Sequence, residues 1–135
     1  MNAVTLNKAI RSLLLSSSLL LAASVTYAHE DAPQAPQHAG VVSEAASGHN
    51  AELSLAGGML MVYLRDHAGA PLASKEAQAE VTLLSGTTKQ VLALAPSGDN
   101  SLMAQGSYQA ATGSKAVLKL TLPGKSAELF RFVLP

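Results

Sequence analysis

Four histidines, His29, His38, His49 and His67, are the residues of this chain best suited to chemistry. Imidazole is the commonest protein ligand for Cu(II), Zn(II) and Ni(II). His29 has a special position, because the chain before it reads as a removable leader. A cut after Ala28 would leave His29 first, with two donors on one residue: its free α-amine and a ring nitrogen. A second histidine would complete a T-shaped Cu(II) site, and His38 is reachable along the chain. Glu30 and Asp31 would add negative charge nearby. The ion that fits such donors is Cu(II) or another divalent transition metal. The plainer alternative is that all four histidines are exposed polar residues in an arm and in loops, since no His-x-His or His-x-x-x-His pair occurs.

Two further groups invite a chemical reading. Asp66-His67 closes an apolar run at a turn. There a carboxylate would orient a ligand histidine, or Asp66 would simply cap the turn. Adjacent strand residues point to opposite faces, which favours the cap. Met59 and Met61 share a strand face, and Met103 could join them. Thioethers bind Cu(I) well, but methionine more often fills uneven cores, and packing is the expectation here. Enzymatic readings find little support. Nothing resembles a nucleophile elbow, and Gly57-Gly58 lacks the lysine and helix of a phosphate loop. The chain is expected not to be an enzyme, with no catalytic residues.

The leader is "MNAVTLNKAIRSLLLSSSLLLAASVTYA". Lys8 and Arg11 precede an apolar stretch, and Thr26-Tyr27-Ala28 places small residues where a signal peptidase reads. The apolar stretch falls short of the roughly 20 residues that span a bilayer. Residues 1–28 are therefore expected to be a signal peptide, with no membrane anchor after cleavage. The absence of cysteine removes lipid attachment of the lipoprotein kind, disulfides and thiolate metal sites. The expected compartment is the periplasm.

Taking 28 residues from 135 leaves 107, enough for one domain. Removing Lys8 and Arg11 from the 9 basic residues leaves 7 against 9 acidic ones, a net of −2. That argues against nucleic acid and against anionic lipid. Residues 29–39, "HEDAPQAPQHA", hold two prolines and no apolar period, and read as a flexible, solvated arm. The folded domain is expected over residues 40–135.

From there the apolar period is two. "AELSL" sets Ala51, Leu53 and Leu55 against Glu52 and Ser54. "MLMVYLRD" sets Leu60, Val62 and Leu64 against Met59, Met61, Tyr63 and Arg65. "AEVTLLS" sets Val81 and Leu83 against Glu80 and Thr82, and "KAVLKLTL" sets Val117 against Lys115 and Lys119. "AELFRFVLP" sets Phe130, Phe132 and Leu134 against Leu129, Arg131 and Val133. Such alternation marks half-buried strands. Glycine- and proline-bearing turns separate the runs, and residues 74–78 read as a crossover loop rather than a helical turn. The expected fold is all-β: a small antiparallel β-sandwich, Ig-like in outline, of seven or eight short strands. A closed barrel is the alternative.

The stretches "HAG" (38–40), "AEL" (51–53), "VYLRDHAGAPL" (62–72), "VTLLSG" (81–86) and "LALAPSG" (92–98) together resemble a pattern of small exported bacterial proteins. The same pattern resembles the leading domain of periplasmic adaptor subunits of heavy-metal efflux pumps. The resemblance implies a setting in periplasmic metal handling, with an efflux adaptor or another periplasmic protein as partner. It implies no activity. One departure stands out: Ala39 replaces the first glycine of a His-Gly-Gly motif. The expected function is a non-catalytic binding module for a copper-like metal. The alternative is a protein-interaction module that pairs through a strand edge and has no metal role.

Overall fold

The computed structural model describes residues 34–135. The expected signal peptide and residues 29–33, His29 included, lie outside the described residues. Eight strands form in chain order: β1 (Val41–Glu44), β2 (Asn50–Ala56), β3 (Met59–Arg65), β4 (Gln78–Ser85), β5 (Thr88–Pro96), β6 (Ser101–Ala104), β7 (Lys115–Thr121) and β8 (Glu128–Val133). No helix occurs among the described residues. All strand pairings are antiparallel, and one sheet holds all eight in the order β1-β2-β3-β6-β5-β4-β7-β8.

The sheet curls until its two outermost strands, β1 and β8, stand side by side. No backbone ladder joins them. Their seam carries a hydrogen bond from the Arg131 N–H to Ser43 Oγ at 3.1 Å. The architecture is thus a nearly closed, barrel-like sheet rather than the clear Ig-like sandwich expected. The alternation could not separate the two, because inward and outward residues alternate along every strand in sandwiches and barrels alike.

The inside of the curl is aliphatic, as the period of two requires. Leu60, Val62 and Leu64 of β3, Val81 and Leu83 of β4, Leu118 and Leu120 of β7, and Phe130 and Phe132 of β8 are all buried. Strand β7 differs from expectation. Residues 115, 117 and 119 share one parity, so Val117 lies outside with Lys115 and Lys119, and Ala116, Leu118 and Leu120 face the core. Residues 66–77 cross from β3 to β4 past β6 and β5. This crossover is fastened where the buried Ser74 hydroxyl donates to Gly98 O at 2.7 Å.

Residues 34–39, the second half of the stretch read as a solvated arm, are tied to the sheet. Gln34 Nε2 donates to Asp66 O at 3.0 Å and His67 O at 3.1 Å, and Ala35 O accepts from Arg65 Nη2 at 3.1 Å. These hydrogen bonds hold residues ahead of Gly40, where the folded domain was expected to start, against the sheet. Proline-rich composition had no means of showing that a buried acid lies beneath this segment.

Candidate functional site

That acid is Glu52. By alternation it belongs to the outer face of β2, yet it is fully buried. The reason is residues 37–40, which wrap its carboxylate with three backbone donors: Gln37 N–H at 2.9 Å, His38 N–H at 2.7 Å and Gly40 N–H at 3.0 Å. His38 Nδ1 adds a contact at 3.2 Å, and Arg65 Nη2 lies 4.0 Å away. Burial pushes the Glu52 carboxyl up. The hydrogen bonds from Gln37, Gly40 and His38 outweigh that and hold it below the usual carboxylate value.

The wrap explains the two residues after His38. Ala39 has φ of +55°, in the left-handed region that glycine occupies without strain. A Cβ on Gly40 would come within 2.5 Å of Leu53 O and 2.9 Å of Glu52 Cγ, so only glycine fits there. Residues 39 and 40 thus serve an internal carboxylate: Ala39 turns the chain and Gly40 lets it approach β2. Ala39 keeps the turn at a cost. Ala39→Gly is expected to stabilise the fold by about 1 kcal/mol. A higher urea midpoint at unchanged slope would show it.

His38 is oriented twice over. A carboxylate only accepts, so the Nδ1 facing Glu52 carries the proton. In the neutral ring this leaves the lone pair on Nε2. The ring also stacks on Tyr63, with centroids 3.5 Å apart and planes 3° from parallel. His49 repeats the arrangement. Its Nδ1 sits 3.0 Å from both Glu128 oxygens, at the rim of an open cleft of about 770 Å³ between the β1–β2 turn and the β7–β8 hairpin. A carboxylate on one ring nitrogen is the usual support for a histidine that binds metal through the other.

His67 lies in the turn after β3, exposed, with Nδ1 3.4 Å from where a Cβ on Gly48 would stand. Asp66 caps that turn: Oδ1 accepts from Ala70 N–H at 2.9 Å, and its carbonyl accepts from Gly69 N–H at 3.0 Å. The capping role therefore accounts for Asp66. Among the described residues no group of three or more His, Cys, Asp or Glu is placed to hold a metal ion. His29 lies outside the described residues.

Sequence reading missed Glu52, Tyr63, Arg65 and Glu128 as site residues. One signal was present. "HAG" and "AEL" stood together in the resembling pattern as a turn and a strand start. The structure shows them to be two halves of one contact, Gly40 and His38 on Glu52. The lysines of β7 and Arg131 of β8 form a second feature that overall charge concealed. Lys115, Lys119 and Arg131 share the outer face of these two strands with the exposed Leu129 and Val133. Compared with protein-family models, with curated proteins and with solved structures, the chain matches none.

Proposed function

We propose that this chain is an exported, periplasmic, non-catalytic binding module for transition-metal handling, working beside an efflux adaptor or a similar periplasmic protein. The observation that carries the reading is the anchoring of residues 34–40. It holds His38 with Nε2 turned from its carboxylate, and it seats Gln34 on the backbone of the His67 turn. His29 stands five residues before Gln34 in sequence. The carboxylate support of His38 and His49, and the resemblance to efflux-adaptor leading domains, favour the same reading.

In this reading a chain cut after Ala28 binds one Cu(II) through the His29 amine and ring, helped by His38 or His67. Intact mass first establishes that the exported protein spans residues 29–135. Isothermal titration of that protein, and of a form with one residue added before His29, then tests the site. The native form is expected to bind one ion, more weakly as pH falls through the imidazole range, because a protonated ring has no lone pair to give. The extended form is expected to bind far more weakly. Equal affinity of the two forms would remove His29 from the site.

A second reading is favoured by the seam. Strands β1 and β8 meet without a ladder, so both keep edge groups for an extended partner segment. The basic outer face of β7 and β8 would suit an acidic one. Loose, non-stoichiometric copper uptake, indifferent to blocking the amine, would favour this interaction module over the metal reading.

A further inference from the structure

Apart from Met1, the chain has three methionines, Met59, Met61 and Met103. The structure gathers all three on one patch of the outer face. Met61 and Met103 are direct cross-strand partners between β3 and β6. Met59 lies two residues along β3 and so on the same face. It is diagonal to Met103, a separation that long side chains reach across.

None of the three belongs to the hydrophobic core. Met59 is 50% exposed, and the other two are half-buried. The expectation that they fill the core is therefore overturned. Leucine, valine, alanine and phenylalanine do that work, and every methionine of residues 34–135 has been left outside. The other register partners are small and uncharged: Ser54 opposite Met61, Ala56 opposite Met59, and Ala95 opposite Met103. No cation stands at these positions to repel an ion.

Three methionines on one patch of a strand face offer neutral, soft, polarisable sulfur. That chemistry selects soft monovalent cations and gives little to Zn(II) or other harder ions. We propose that Met59, Met61 and Met103 form a thioether site for Cu(I) or Ag(I) on the outer face of β3 and β6. The site uses none of the histidines and no α-amine, so it stands or falls independently of the Cu(II) site above. Thioethers have no proton to lose, so affinity is flat across the range where imidazole titrates.

The test is titration of the full exported chain with Ag(I), followed by NMR of methyl-labelled methionine. All three methyl signals are expected to shift together and to saturate at one ion per chain, at pH 5 and pH 8 alike. Met61→Leu and Met103→Leu nearly conserve volume, so each should keep the thermal unfolding of the parent while weakening Ag(I) binding about tenfold or more. Zn(II) should leave the methyl signals unmoved. Methyl signals indifferent to Ag(I), affinity unchanged in both leucine variants, or affinity that falls as the histidines protonate would each overturn the proposal. The last result would move the ion to imidazole. Methyl shifts caused only by an apolar peptide, and not by Ag(I), would make the patch a docking surface instead.

Discussion

Glu52→Ala is expected to destabilise the protein by about 3 kcal/mol. Its carboxylate collects three backbone N–H groups within 3.0 Å and His38 at 3.2 Å, in a position with no solvent access. Hydrogen bonds to a charged group contribute more than neutral ones, and donors left without an acceptor add a desolvation penalty. Truncation removes the carboxylate that accepts from Gln37, His38 and Gly40. Urea unfolding measures the loss, and amide exchange places it. Gln37, His38 and Gly40 should lose protection while the strands of the core keep theirs. A loss below about 1 kcal/mol, or protection lost evenly across the sheet, would show that Glu52 is not the anchor.

The same carboxylate gives a pH signature whose sign follows from its lowered pKa. The folded value lies below the unfolded one, so the contribution is complete above the ordinary carboxylate value. It is lost as pH falls from there through the folded value. Glu52→Gln keeps the shape and one acceptor oxygen but turns amide hydrogens toward the backbone donors. Its stability should be lower than the parent's at neutral pH, and the gap should close as the solution is acidified. A gap that stayed constant from pH 7 to pH 3 would assign the loss to packing.

The second large effect is expected at Phe132. The chain has two phenylalanines, both on β8, both buried against β7 opposite Ala116 and Leu118. An alanine and a leucine cannot fill the space a phenyl ring leaves. Phe132→Ala should therefore cost about 3–5 kcal/mol. A domain of this size has a total stability of roughly 5–15 kcal/mol, and no disulfide is present to limit the damage. Val133→Ala is the matching control. It changes the next residue of the same strand, 60% exposed on the opposite face, and should cost less than about 0.5 kcal/mol. Similar losses at both positions would mean that β8 pairs in another register.

Much of the fold was legible because a strand buried on one face writes a period of two into its residues. Leu60, Val62 and Leu64, and Phe130, Phe132 and Leu134, were read onto the core face, and all six are buried there. The hairpins over Gly57-Gly58 and residues 123–125 follow from turn residues in the same local way. Val117 shares the parity of Lys115 and Lys119 and lies on their face of β7, contrary to expectation. Strands β1, β5 and β6 do not stand out as alternating runs: β1 and β6 are only four residues long, and β5 buries only Leu92 and Leu94.

By itself the sequence determined the class, strands without helices over the described residues, together with the inward-facing residues of β2, β3, β4 and β8 and the turns between neighbours. These depend on side-chain polarity and backbone preference within a few residues. Tertiary structure alone decided how far the sheet curls, because inward–outward alternation is common to sandwich and barrel. It also decided the fate of the groups able to do chemistry. Glu52 looked like a solvated strand residue until residues 37–40 covered it. His49 met Glu128 from 79 positions away. Met103 reached Met61 only through the pairing of β3 with β6. Each is a contact between segments whose local patterns are complete without the other. The folded chain makes them neighbours through burial of the common core, a property of the whole sheet rather than of any one strand.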